Sequence, residues 1–120
     1  MNLFATQPST LGAIRRWAKD ELTDLPRVIV GDILLVVTEL VTNAYEHGGG
    51  PRRVRLTRHD APLRVTVEVE DVSARTPTVG KSRFGPDHHR GRGLVLVARL
   101  AAEWGVTPQL EGKTVWARFS

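Results

Sequence analysis

The sequence predicts an α+β fold, a two-layer α/β sandwich in which a mixed or antiparallel sheet carries its helices on one face. Apolar residues recur at helical spacing in three separate segments, and three further segments alternate apolar and polar residues. These two kinds of segment do not alternate strictly along the chain, which favours an α+β arrangement over a parallel α/β one. The chain has 120 residues, 41% of them hydrophobic, so we expect a single domain over residues 1–120.

The first two helices follow from apolar spacing and from their end signals. A short edge strand is expected at residues 2–5, and Ser9 is the favoured N-cap of an amphipathic first helix that ends before Pro26. The second helix runs from about Arg27 to His47 and is apolar around most of its circumference, which is typical of a buried central helix. Glycines at 48–50 and a proline at 51 end it.

The remaining elements are a hairpin, a loop, a third helix and two closing strands. Residues 53–57 and 63–70 alternate around a turn at 59–62, whereas residues 72–90 show no pattern and predict a lid, a binding loop or a disordered stretch. A third, largely apolar helix begins near Gly91. The closing strands are expected at 104–110 and 113–119, where Val115 and Ala117 alternate with Trp116 and Arg118.

Composition excludes several classes of protein. The longest apolar run, residues 33–37, is far shorter than the roughly 20 residues that cross a bilayer, and no signal peptide precedes it, so we expect a soluble, cytoplasmic protein without a membrane partner. The chain has no cysteine and only four scattered histidines, which argues against disulfides and zinc. The net charge of +4 permits an acidic partner, but the arginines are spread along the chain, which argues against a nucleic-acid interface.

The central helix carries a polar stripe in an otherwise apolar surface. Asp32, Glu39, Asn43 and Glu46 are spaced by seven, four and three residues and therefore lie along one side of the helix. Because an unpartnered buried polar group costs roughly 2–7 kcal/mol, something must satisfy them. Protein partners could do so, and so could a water-filled pocket that holds a cation. In the second case Asn43 suits Mg²⁺, and Glu39 could activate a hydroxyl or water near a phosphoryl group.

Two further segments suggest a nucleotide. The sequence Gly91-Arg92-Gly93-Leu94 directly precedes the apolar part of the third helix, where backbone N–H groups favour phosphate; the alternative is a flexible helix start. Asp71 ends the second hairpin strand, where its carboxylate could accept a hydrogen bond from an exocyclic amine such as that of adenine, or could simply form a turn.

These elements, in this order, resemble a known family. Residues 39–48 look like the N box of the GHKL superfamily (Bergerat fold), which gyrase, the heat-shock chaperone ATPase, histidine kinases and mismatch-repair ATPases share. Asp71 stands where the first glycine box begins, and residues 91–94 look like the second. The ending, residues 104–106 and 112–116, resembles the anti-sigma-factor serine/threonine kinase branch.

The resemblance implies a site for ATP and Mg²⁺ between the helical layer and the loop. It implies that Glu39 is the general base, that Asn43 is the Mg²⁺ ligand and that Asp71 recognises adenine, with Thr114 contacting adenine through a water. It also implies a phosphate cradle formed by Gly91, Arg92, Gly93 and Leu94, and contacts of His47 and Arg92 with ribose or phosphate. One departure is that Ser73 and Arg75 stand where the family's first glycine box has glycines. The added Cβ atoms lie where the backbone passes close to the nucleotide, so they lower its affinity or send the loop along another path. We therefore expect ATP binding rather than efficient turnover.

Three functional hypotheses remain open from the sequence. The first is a serine/threonine protein kinase that acts as an anti-sigma factor, binds a sigma factor, phosphorylates an antagonist protein and, like its relatives, forms a homodimer. The second is a non-catalytic module that sequesters such a regulator, which the altered glycine box favours. The third is nucleic-acid binding, for which the sequence offers no helix with clustered basic residues.

Overall fold

The computed structural model describes residues 2–6, 10–46, 50–72 and 89–120, with backbone alone for 2–6 and 89–93. The loop predicted over residues 72–90 therefore lies almost wholly outside the described residues. Within the described part, the elements in chain order are β1 (Asn2–Thr6), α1 (Leu11–Glu21), α2 (Arg27–Glu46), β2 (Pro51–Asp60), β3 (Leu63–Asp71), α3 (His89–Leu100), β4 (Glu103–Gln109) and β5 (Gly112–Phe119).

The strands form one five-stranded sheet in the order β1-β2-β3-β5-β4. Every neighbouring pair is antiparallel, so the sheet is antiparallel rather than mixed. The predicted edge strand is present as β1, which pairs with β2 only. The α+β fold class predicted from the sequence is confirmed.

The core lies between the sheet and the helices. Alternate residues of the central strands are buried on the helix-facing side, among them Val54 and Leu56 of β2, Val67 of β3 and Val115 of β5. Because strand side chains alternate between faces, the intervening residues point to the outer face. The outer face carries charged pairs such as that between Arg55 and Glu70, whose atoms Nη2 and Oε2 lie 3.2 Å apart.

Helix α2 is the central helix of this core, as its apolar circumference predicts. By length and composition alone it is apolar enough to span a membrane, with a mean hydropathy of 1.6. The core helix of a soluble protein passes the same test, and Ile33, Val37 and Val41 are fully buried in one cluster with the sheet residues. The packing therefore accounts for the buried side of α2, whereas Val28 and Leu35 of the same helix are 76% and 43% exposed.

Two helix starts differ from the sequence predictions. Thr10, rather than Ser9, is the N-cap of α1, because its Oγ1 accepts a hydrogen bond from the Ala13 N–H at 3.1 Å; Ser9 lies outside the described residues. Helix α3 begins at His89, two residues before the predicted start near Gly91. Hydrogen bonding of caps and backbone conformation, rather than apolar spacing, decide such boundaries.

Candidate functional site

The residues that line a cavity of about 330 Å³ at one end of the sandwich show which ends of the helices and strands lie together. Its lining includes Asp32 near the start of α2, Leu63 at the start of β3, Leu100 at the end of α3 and Phe119 at the end of β5. Helix α2 and β3 therefore run in one direction, and α3 and β5 run in the other. The end of α2, the end of β3, the start of α3 and the start of β5 consequently meet at the opposite end of the sandwich.

Asn43 lies towards this second end, in the last turns of α2, and is only 4% exposed. Neither its Oδ1 nor its Nδ2 has a hydrogen-bond partner in the described structure. A buried polar group left unsatisfied costs about 1–3 kcal/mol, so such an amide in a folded core points to a ligand that completes it. The protein partners that could have satisfied Asn43 are not found among the described residues.

The four residues of the polar stripe do not lie at one place in the structure. Glu39, one helical turn before Asn43, is half-buried, and so is Glu46, one turn after it. Asp32 lines the cavity at the other end of the sandwich. The stripe predicted from the sequence is therefore split, because α2, at 20 residues and about 1.5 Å per residue, reaches from one end of the molecule to the other.

Asp71, the last residue of β3, is 3% exposed and faces the helical layer. In the antiparallel register it lies opposite Lys113 of β5, and Lys113 Nζ donates a hydrogen bond to Asp71 Oδ2 at 3.1 Å. Both side chains are 2% exposed. The carboxylate that the resemblance assigns to adenine recognition is thus part of a buried ion pair.

Gly112 allows the start of β5 to lie close against the end of β3. Its φ is +124°, and a Cβ added there would lie 2.0 Å from the carbonyl oxygen of Asp71. No other residue type fits this contact, because the conformation and the space both exclude a Cβ. The position of Asp71 relative to Lys113 therefore depends on this glycine.

Thr114 lies on the other side of the sheet from Asp71. It pairs in register with Glu70, it accepts a hydrogen bond from Gln109 Nε2 at its Oγ1 over 3.2 Å, and it lines a polar depression on the outer face with Arg55 and Glu68. The structure therefore does not bring Thr114 and Asp71 together, contrary to the expected water-mediated adenine contact. The alternation of Val115 and Ala117 with Trp116 already places residue 114 on the outer face.

Residues 91–94, which the resemblance assigns to phosphate binding, lie in the first turns of α3. The start of this helix is at the same end of the sandwich as Asn43 and Asp71, and the first four backbone N–H groups of a helix lack intrahelical partners. Leu94 is fully buried in the core, so it can offer a ligand only its backbone. The side chains of Gly91, Arg92 and Gly93 are not described, and His47 lies outside the described residues.

Sequence reasoning missed Lys113. The signal was available, because Val115 and Ala117 face the core and a lysine two residues earlier must face the same way. What the alternation could not supply was the partner, since the pairing of β3 with β5 in this register joins residues 42 apart in the chain.

The fold and this end of the sandwich define a class of protein: an antiparallel α/β sandwich with an incomplete polar site between its central helix and the strand ends. A family model described as the histidine kinase-like ATPase domain matches residues 4–119. The chain belongs to that family, as its resemblance to the GHKL superfamily predicts.

A solved structure supports the same fold. The RsbU and RsbW domains of Rv1364c from Mycobacterium tuberculosis superpose with a TM-score of 0.72 at 18% identity, over 99% of this chain and 32% of the other. The chain thus spans about a third of the length of that protein, and at this identity the likeness concerns the fold alone. A search of curated proteins gave no match.

Proposed function

We propose that this protein binds Mg²⁺-ATP and acts as a serine/threonine protein kinase of the anti-sigma-factor type. The observation that carries the proposal is the buried amide of Asn43, which has no hydrogen-bond partner among the described residues. It lies at the end of the sandwich where Asp71 and the start of α3 also lie. Membership of the histidine kinase-like ATPase family supports the nucleotide, and the resemblance to the anti-sigma branch supports the kinase.

The donor set fits magnesium bound together with a nucleotide. Among the described residues no group of three histidine or acidic side chains could form a metal cage. Magnesium is commonly held by one or two protein oxygens together with phosphate oxygens and water, and Asn43 Oδ1 can serve as such a ligand. When bound, Mg²⁺-ATP supplies the γ-phosphoryl group for transfer.

The chain's own residues then have separate tasks. Glu39, half-buried one turn from Asn43, accepts the proton of the attacking hydroxyl. Asp71 accepts a hydrogen bond from the base, and backbone N–H groups in the first turn of α3 bind phosphate oxygens. For His47 and Arg92, whose side chains are not described, the proposal keeps the contacts to ribose or phosphate that the resemblance implies. Thr114 has no task in this proposal, since it lies on the outer face.

The proposed partners are a sigma factor and an antagonist protein that carries the phosphorylated serine, and the proposed location is the cytoplasm. The partners rest on the resemblance to the anti-sigma branch, and the likeness to a structure that contains an RsbW domain agrees with them. A homodimer is proposed from the same resemblance. The location is proposed from the composition of the chain.

The second candidate is a non-catalytic module that binds a regulator with nucleotide as a structural ligand. It is favoured by Ser73 and Arg75, which replace glycines of the first glycine box. The two candidates agree on ATP binding and differ on phosphoryl transfer.

Titration calorimetry with Mg²⁺-ATP, run beside a γ-phosphoryl transfer assay on the antagonist, tests the proposal. We expect Glu39→Gln to lower transfer by about 10²–10⁴-fold with ATP affinity retained, because it removes the base and keeps the shape. Asp20→Asn, an exposed change on α1, is the matched control and leaves both unchanged. Binding without transfer by the wild type would support the module, and transfer by Glu39→Gln at the wild-type rate would remove Glu39 as the base.

A further inference from the structure

Lys113 is the only cationic side chain in the described part of the chain that is fully buried. Its long side chain does not run out to solvent, as lysine side chains usually do, but ends on Asp71 with an Nζ–Oδ2 distance of 3.1 Å. Among the ion-paired cationic side chains of the described residues, Arg58 is the next most buried, at 11% exposed. It lies near the turn of the β2–β3 hairpin, whereas Asp71 lies at the other end of β3.

The backbone of β3 and β5 places Lys113 directly beside Asp71. The register sets Lys113 opposite Asp71, and Gly112 brings the preceding backbone against the Asp71 carbonyl. A buried charge is retained only where it is paired and hydrogen-bonded. A hydrogen-bond donor and an acceptor therefore lie side by side at the base end of the proposed site.

This pair changes which bases the site can recognise. A carboxylate only accepts hydrogen bonds, so Asp71 alone suits the 6-amino group of adenine and repels the oxygen of a 6-oxopurine. An ammonium group only donates, so Lys113 can hydrogen-bond a 6-oxo group while Asp71 accepts from the neighbouring ring N1–H. With adenine the roles exchange, since Asp71 accepts from the amine and Lys113 donates to the ring nitrogen.

We infer that Lys113 is a second base-recognition residue, and that with Asp71 it lets the site bind 6-oxopurine as well as 6-aminopurine nucleoside triphosphates. The inference rests on the proposed nucleotide site. Inosine triphosphate is the decisive probe, because it carries a 6-oxo group and lacks the 2-amino group of guanine.

The wild-type protein tests the inference directly by calorimetry with Mg²⁺-ATP and Mg²⁺-inosine triphosphate. We expect the two dissociation constants to lie within about 10-fold of each other, because each base leaves both members of the pair hydrogen-bonded. A preference for ATP above about 100-fold would overturn the inference, since that is the discrimination expected when the base leaves one of these two charged groups without a hydrogen bond. If neither nucleotide binds, the proposed function itself fails, which is a separate result.

Lys113→Met, which keeps the length of the side chain and removes its donors, should widen the preference for ATP over inosine triphosphate by about 10–100-fold. Lys113→Gln retains a neutral donor and should restore part of the inosine triphosphate affinity. Lys19→Met, on the exposed surface of α1, is the matched control and leaves the ratio unchanged. Circular dichroism establishes folding of each variant, and a ratio unchanged in folded Lys113→Met would overturn the inference.

Discussion

At the scale of single residues, Asn43 is costly for folding, and the proposed nucleotide site offers a reason for that cost. Its amide is buried among apolar residues of α2, and neither its Oδ1 nor its Nδ2 has a hydrogen-bond partner in the described structure. A leucine of similar size would suit the surrounding core better, because it has no polar atoms to desolvate. The identity of residue 43 therefore conflicts with stability, which is typical of residues kept for a site.

Asn43→Leu should abolish Mg²⁺-ATP binding while leaving the free energy of unfolding of the nucleotide-free protein unchanged or raised by about 1–3 kcal/mol, because the unsatisfied amide is removed. Urea unfolding and calorimetry measure the two effects. Asp32→Leu makes a similar change on the same helix at the other end of the sandwich and should leave ATP binding intact. A clear loss of stability in Asn43→Leu would mean that the amide is satisfied in solution.

At the scale of elements, the turn between β4 and β5 controls the site more than its short length suggests. Gly112 takes a φ of +124° and contacts the last residue of β3, and Lys113 follows it directly. The turn thus determines how β5 enters the sheet and where Lys113 meets Asp71. A change in this turn alters the site without touching a ligand.

Gly112→Ala should lower the free energy of unfolding by at least about 2 kcal/mol, since backbone strain and overlap with the Asp71 carbonyl each cost about 1–3 kcal/mol. Gly31→Ala is the matched control on α2, where an added Cβ meets nothing within 4 Å. There the change should stabilise by about 0.5–1 kcal/mol, because alanine is the better helix former. Chemical denaturation of both variants tests this, and equal effects would contradict the close approach of β5 to β3.

At the scale of the whole molecule, Arg58 joins the sheet to the helical layer. It lies on the helix-facing side of β2, and its Nη1 and Nη2 donate to both carboxylate oxygens of Asp24, between α1 and α2, at 2.8 and 2.6 Å. Its Nε donates to Asp60 at 2.7 Å. The hydrogen bond from Arg58 holds the pKa of Asp24 below its ordinary value of 3.8, and these same bonds raise the pKa of Arg58.

The pairing of Arg58 with Asp24 makes the stability of the protein depend on pH in a defined way. Because the pKa of Asp24 is lower in the folded than in the unfolded chain, its stabilising effect is complete above the ordinary value of 3.8 and is lost as the pH falls through the folded pKa. Asp24→Asn should therefore destabilise at neutral pH, with a difference from wild type that shrinks in acid. In an Arg58→Met background the same change should have no further effect, and an undiminished effect there would show that the pair does not act through Arg58.

The sequence predicted the elements well where one physical signal dominates. The apolar circumference of α2, the alternation in β2 and β3, and the edge strand β1 were all found within a few residues. The N-cap of α1 and the start of α3 were misplaced, because neighbouring serine and threonine residues are equally suitable caps and because glycines at 91 and 93 do not prevent a helix from starting at His89.

The candidate site was predictable only as a set of residue types. Spacing on α2 singled out Asn43, and the strand end singled out Asp71, but Asp32 and Thr114 proved to lie elsewhere. The length of α2 separates Asp32 from Asn43, and the alternation of β5 turns Thr114 to the outer face. Neither separation follows from residue type, but the alternation that turns Thr114 outward is already present in the sequence.

By itself the sequence determined the α+β class, the central apolar helix and the family, because periodicity and short motifs are local properties that each segment expresses alone. Only the tertiary structure decided that Asn43 has no partner in the part of the chain that the structure describes and that Lys113 meets Asp71 beneath the helical layer. The physical reason is that burial and strand register are set by segments far apart in the chain, and a buried group's partner is chosen by that packing.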